Sequence, residues 1–131
     1  MFLIVGGDSE IGAAAYRAMQ AQGIAAAATT RRSDLVSAVR PFLDLAAEID
    51  LFEPPLQTTA VCICAAIARI AACAADPQGT AFINVDRTLA LADKFLARGI
   101  YVLFLSTNQV FDGQTPHVVP DAPYSAVSEY G

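Results

Sequence analysis

At 131 residues, with 55% hydrophobic and 16% charged side chains and a net charge of −5, the chain can bury a real core in one domain and is too apolar for disorder. No basic cluster exceeds Arg31-Arg32, so nucleic acid is not an expected partner. The longest apolar stretch, Ala60 to Ala75, is broken by Arg69 and is too short for a bilayer, so no membrane is expected either.

In chain order, Phe2 to Val5 is an unbroken apolar run, suited to a strand covered on both faces. Gly6 and Gly7 break it, and Glu10 to Gln22 has helical spacing, closed by Gly23. A strand feeding a helix through a glycine turn aims backbone N–H groups and a positive helix end at one spot, which suits a pyrophosphate. Gly6 would permit the tight turn and Gly12 would let helix and strand approach. The spacing G-x-x-G-x-x-G would put a third glycine at position 9, where Ser9 stands. A plain strand-to-helix turn is the competing reading.

Ile24 to Thr30 is the second expected strand. Ser33 can cap a short helix through Val39, with Asp34 beside its positive end and Pro41 stopping it. Phe42 to Leu45 is the third candidate strand, followed by an irregular stretch with the Pro54-Pro55 break. Ala60 to Cys64 reads as the fourth strand, and residues 65 to 75 fit helix or loop equally. Pro77 opens a long helix to about residue 98, with Phe82, Val85, Leu89, Ala92 and Leu96 at three- and four-residue steps. Ile100 to Leu105 is the fifth strand, Thr115 to Pro123 a loop, and Ser125 to Gly131 the start of another helix. Strands alternating with helices imply an α/β fold with a doubly wound parallel sheet, order 3-2-1-4-5, and a ligand at the carboxyl ends near the first strand. Cys62, Cys64 and Cys73 form no C-x-x-C pair and the chain has one His, so no metal site is expected. Small buried thiols in a reducing compartment are the simpler reading, and with no basic leader at the N-terminus the expected location is cytoplasmic.

Arg31 and Arg32 lie about twenty residues beyond the glycine turn, where an acid would accept from the ribose 2′-OH of NAD and an arginine favours the 2′-phosphate of NADP. NADP is therefore the expected cofactor, with NAD the other form; a solvated basic pair is the bland reading. Asp44 can reach the adenine edge or cap the following turn.

The strongest functional signal is a resemblance. Gly6 to Gly12, Thr29-Thr30-Arg31, Cys64-Ala65-Ala66 (against N-A-A), Asp76-Pro77 through Asn84-Val85, Ser106 to Gly113 (against S-T-D-Y-V-F-D-G) and Ser128 to Gly131 resemble the extended short-chain dehydrogenase/reductases of the dTDP-4-dehydrorhamnose reductase type. The resemblance runs through most of the chain. It implies a Rossmann-like fold and reduction of a nucleotide-linked 4-keto sugar. It implies cofactor contacts from Gly6, Ser9, Glu10, Ile11, Gly12, Arg31, Arg32, Asp44, Cys64, Ala65 and Ala66. It also implies Thr107 on the substrate carbonyl and Tyr130 as proton donor. The lysine that such enzymes carry four residues after the tyrosine falls past Gly131, and the only lysine is Lys94. Residues 1–131 are therefore expected to be the dinucleotide-binding part of a longer enzyme, inactive alone and without the substrate domain. Asn108-Gln109 lacks the acidic pair of sugar-nucleotide dehydratases, whereas epimerases more often have Ser at position 107. A sugar-nucleotide epimerase and a non-catalytic dinucleotide-binding or regulatory protein, as in the methionine adenosyltransferase regulatory subunit, are the alternatives. The open edge of such a partial sheet would permit a homo-oligomer.

Overall fold

The computed structural model describes residues 1–131. Its centre is β1 (Phe2–Val5), hydrogen-bonded in parallel to β2 (Ala26–Ala28) on one side and β3 (Ala60–Ile63) on the other. β4 (Tyr101–Phe104) extends the sheet beyond β3, giving the order β2-β1-β3-β4. Leu3 stands opposite Ala27 and Val61, and Val61 opposite Val102, so one apolar row crosses the whole sheet.

Because side chains alternate along a strand, β1 feeds two layers. Leu3 and Val5 join Val61, Ile63, Leu91, Phe95 and Ile100 on one face, with the chain between Leu43 and Phe52 closing over them. Ile4 points the other way and packs with Ala28 and Tyr16 from α1 (Glu10–Ala21). Alanines in β2 suit this position: Ala27 and Ala28 are fully buried and leave room for the elements above and below.

On the opposite face the chain runs through α2 (Ile70–Ala75), α3 (Pro77–Ala81), a π-helical segment at Phe82–Arg87 and α4 (Thr88–Leu96). Asp76 caps α3, its carboxylate accepting from the Gly79 N–H at 2.9 Å, and Pro77 fills the first helical position, where no N–H is needed. The helix expected to run from 77 to 98 is thus interrupted. The Thr88 hydroxyl donates to the Ile83 carbonyl at 3.0 Å, five residues back, and Asn84 turns its amide away from the helix toward Ile67.

Three other expectations are corrected. The helix over Ser33–Val39 is one 3₁₀ turn, Ser33–Leu35, and Ser33 caps nothing; Val36 is extended and Ser37 and Arg40 exchange hydrogen bonds across a tight turn. Pro41 holds Arg40 extended, and so few residues cannot offset helix nucleation. The strand over Phe42–Leu45 is reduced to a single parallel bridge, Thr30 to Phe42, because Asp44 captures the Ala46 N–H at 3.0 Å and turns the chain away. That bridge occupies the place of the expected third strand beyond β2. Ser125–Gly131 is an irregular segment ending in a turn at Ser128–Gly131 rather than a helix, since Ser125 is tied by its N–H to the Val110 carbonyl and by its hydroxyl to the Asp112 N–H. Residues 65 to 75, open in sequence, divide into a loop and α2. Parallel strands flanked by helices on both faces make this a Rossmann-like doubly wound domain. No helix is long and apolar enough to cross a membrane.

Candidate functional site

A cleft of about 440 Å³ opens at the carboxyl ends of β1 and β2, bounded by the glycine turn, the end of β2, the Leu43–Ala46 segment and residues 65–69. Strand register places it there. In an open parallel sheet the connections leave in opposite directions from neighbouring strands, and the gap lies outside their carboxyl ends.

The turn itself is built for close approach. Gly6 has φ +89, and a Cβ there would lie 2.7 Å from the Ala65 nitrogen. The start of α1 passes so near the strand that a Cβ on Gly12 would collide with the Gly6 carbonyl oxygen. Ser9, by contrast, has φ −76, so glycine is not required. Its hydroxyl accepts from the Gly12 N–H at 3.0 Å and donates to the Gly6 carbonyl at 2.8 Å, which makes it the N-cap of α1. The next two N–H groups, of Glu10 and Ile11, have no acceptor within the helix and remain available to an anion. The turn is anchored to β2 by two bonds: the Gly6 N–H to the Thr29 hydroxyl at 2.9 Å, and the Gly7 N–H to the Thr29 carbonyl at 3.0 Å.

Of the residues expected at the site, the cleft brings together Gly6, Ser9, Arg31, Asp44, Ala65 and Ala66. Gly12 lies beneath it as the helix–strand contact, and Glu10 and Ile11, exposed on the first turn of α1, are not among the lining residues. Asp44 does both things open to it, lining the cleft and capping the Ala46 turn. Arg32 points away and pairs with Asp34 at 3.0 Å. Cys64 is also outside the lining. Its Sγ sits 3.6 Å from that of Cys62, and burial, with the neighbouring thiol, pushes its pKa up to about 12, so it stays a neutral thiol. No group of three or more His, Cys, Asp or Glu converges anywhere in the chain.

The residue missed by sequence reasoning is Asp8. Both carboxylate oxygens accept from the Thr30 hydroxyl at 2.9 Å, one accepts from the Arg31 N–H at 2.8 Å and the other from the Arg40 guanidinium at 2.9 Å. Burial acts to raise its pKa, but the Arg31 and Thr30 hydrogen bonds and the charges of Arg40 and Arg32 outweigh burial and hold it below the ordinary carboxylate value. Arg40 also lies over the Tyr16 ring, 5.7 Å from its centroid. The one signal available was an acid inside the glycine turn, and position 8 is unconstrained in that spacing. Arg69, Ile67 and Ile83 were missed too, since nothing local ties them to the turn. Asn84 holds that wall in place, accepting from the Ile67 N–H at 2.8 Å and donating to the Ile67 carbonyl at 2.9 Å.

Thr107 and Tyr130 do not line the cleft. Thr107 caps the 3₁₀ turn Asn108–Val110, its hydroxyl oxygen accepting from the Gln109 N–H at 3.2 Å, which leaves its O–H free to donate. The tail folds back on that turn. The rings of Phe111 and Tyr124 lie 6.2 Å apart, and Gly131 packs against the Gln109 carbonyl so closely that a Cβ would not fit. Tyr130 is half-buried beside it.

The family model described as RmlD substrate binding domain matches residues 1–131. No curated protein matches the chain in sequence. Among solved structures, a short-chain dehydrogenase/reductase superfamily protein from Agrobacterium tumefaciens with bound NAD is similar at TM-score 0.77 and 26% identity, over 99% of this chain and 40% of that one. A UDP-glucose 4-epimerase from Thermus thermophilus in complex with NAD is similar at TM-score 0.77 and 24% identity, over 98% of this chain and 45% of that one. A protein from Sulfolobus tokodaii described as a hypothetical dTDP-4-dehydrorhamnose reductase is similar at TM-score 0.75 and 18% identity, over 99% and 47%. The chain spans less than half the length of each of these structures.

Proposed function

Since the chain belongs to the RmlD substrate binding domain family, we propose that it is the dinucleotide-binding part of a cytoplasmic oxidoreductase acting on a nucleotide-linked 4-keto sugar. The observation that carries this reading is the cleft at the carboxyl ends of β1 and β2, with a glycine turn, a capped helix start and a carboxylate at the end of β2 on one rim. The fit to a nicotinamide dinucleotide is steric as well as electrostatic. Gly6 and Gly12 let the turn, Ala65 and the start of α1 approach more closely than a Cβ would allow, and the N–H groups of Glu10 and Ile11 would hold the pyrophosphate. Asp44, Ala65, Ala66 and Ile83 would enclose the rest. When bound, the reduced dinucleotide would supply the hydride that adds to the sugar carbonyl carbon.

The chain's own groups would handle the oxygen. Thr107, with its O–H free, would donate to the carbonyl oxygen and stabilise charge developing there. Tyr130 would deliver the proton to the same oxygen. The folding of the Tyr124–Gly131 tail against the Asn108–Val110 turn supports this pairing. Arg31 and Arg32 by themselves favour the 2′-phosphorylated cofactor; the pairing of Arg32 with Asp34, and Asp8, stand against it.

The direct test is titration of the chain with NADH and NADPH, followed by nicotinamide fluorescence. Saturable binding that is lost in Gly12→Val supports the reading, because that side chain would collide with the Gly6 carbonyl and drive α1 away from the turn. Absence of binding by both dinucleotides overturns it.

A further inference from the structure

We infer that Asp8 is the residue that sets the cofactor preference, standing at the end of β2 where it would accept from the 2′-hydroxyl of NAD and exclude the 2′-phosphate of NADP. The inference rests on the dinucleotide reading of the cleft and reverses the preference that Arg31 and Arg32 suggest from sequence.

In doubly wound dinucleotide sites the adenosine ribose is read at the end of the second strand, usually by an acid about twenty residues after the glycine turn. Here that position holds Thr30 and Arg31, with no acid. The carboxylate arrives instead from within the turn. Asp8 takes the Arg31 N–H at 2.8 Å and the Thr30 hydroxyl at 2.9 Å, so it occupies the same place by another route.

The donors that a phosphate would need there are already engaged. Thr30 gives its O–H to Asp8 and accepts from the Arg32 N–H at 3.1 Å. Arg40 is paired with Asp8 at 2.9 Å and Arg32 with Asp34 at 3.0 Å. Arg31 is the one arginine of this rim whose side chain has no acidic partner. With Arg40 offset by Asp8 and Arg32 by Asp34, this rim offers a dianion only the single unpaired charge of Arg31. A ribose diol needs none. The single Thr30 hydrogen is shared between both Asp8 oxygens, and the Asp8 side chain keeps 26% of its surface exposed where it lines the cleft, so the oxygen that this hydrogen gives up can accept from a ribose hydroxyl. The Arg40 pair and the Arg31 N–H hold the carboxylate ionised and fixed in place, so its charge is present at neutral pH.

The experiment is the paired titration of the 131-residue chain, its Asp8→Asn variant and its Arg31→Ala variant with NADH and NADPH. The wild type is expected to bind NADH at least about 10-fold more tightly than NADPH, a difference of about 1.4 kcal/mol. Asp8→Asn keeps an acceptor for the Thr30 and Arg31 donors and removes the charge. It should narrow the ratio by about 10-fold or more, chiefly through a gain for NADPH. Arg31→Ala keeps the main-chain bond to Asp8 and should shift both dinucleotides by the same factor. A wild-type preference for NADPH overturns the inference, and so does an unchanged ratio in Asp8→Asn that is folded by circular dichroism. If Asp8→Asn does not fold, the wild-type ratio and Arg31→Ala decide, since a loss confined to NADPH in the latter assigns the choice to Arg31. Failure of the wild type to bind either dinucleotide is a different result, which removes the cleft's dinucleotide reading and this inference with it.

Discussion

Gly6→Ala separates the two physical demands made on the glycine turn. The first is conformational: Gly6 sits at φ +89, where an L-residue costs about 1–2 kcal/mol. The second is steric. The added methyl would lie 2.7 Å from the Ala65 nitrogen, 2.8 Å from its Cα and 2.9 Å from its Cβ, well inside the about 3.5–4.0 Å of a relaxed contact. Those atoms are mostly backbone, and Ala65 is part of the cleft wall, so relief requires the wall to move. Such overpacking costs about 1–3 kcal/mol, for a total near 2–5 kcal/mol. A natural control exists in Gly23, at φ +70 with nothing within 4 Å of its would-be Cβ, so Gly23→Ala should show the conformational cost alone. Urea melts followed by far-UV circular dichroism and tyrosine emission suit the assay, since the chain has four Tyr and no Trp. Gly6→Ala should lose at least about 1 kcal/mol more than Gly23→Ala and should also weaken dinucleotide binding, which Gly23→Ala leaves intact. Equal losses in the two variants would refute the argument that Ala65 is a fixed wall.

Other outcomes are expected from the same structure. Phe95→Ala should cost about 3–5 kcal/mol in the same melts, because Phe95 is fully buried and meets Phe52 edge-on with ring centroids 6.4 Å apart. Asn84→Ala should cost about 1–3 kcal/mol by stranding the Ile67 N–H and leaving the Ile67 carbonyl only the Cys73 thiol as donor, and should raise the dissociation constant for the dinucleotide by loosening residues 65–69. Asp76→Ala should cost about 1 kcal/mol through loss of the α3 cap. The pH dependence has a definite sign: the Asp8 carboxyl is depressed below its ordinary 3.8, so its contribution is complete above that pH and is lost as pH falls through the lower folded-state value. Stability measured from pH 5 downward should therefore fall less steeply in Asp8→Asn than in wild type, and parallel curves would show that Asp8 gains nothing from its partners.

What could be read from the residues in order was whatever depends on near neighbours. The apolar runs at Phe2–Val5 and Ala60–Cys64 announced buried strands, Gly23 and Pro77 marked helix ends, and the glycine turn located the cleft. Ser9, off pattern in the glycine spacing, was identified as the cap of α1 only by its backbone angle and hydrogen bonds. The tertiary structure decided the features that depend on residues far apart. Thr30 pairs with Phe42 only because the chain returns beside β2, and Asp44 cuts the third strand short once its side chain meets the Ala46 N–H. The π-helical segment follows from Thr88 and Asn84 finding partners that periodicity does not encode. Most consequential for function, Asp8 meets Thr30, Arg31 and Arg40 across separations of 22, 23 and 32 residues. Sequence spacing determined where the cleft would form, because strand, turn and helix are local. The charge at the β2 end of that cleft was set only when the parallel sheet brought the turn and the end of β2 side by side.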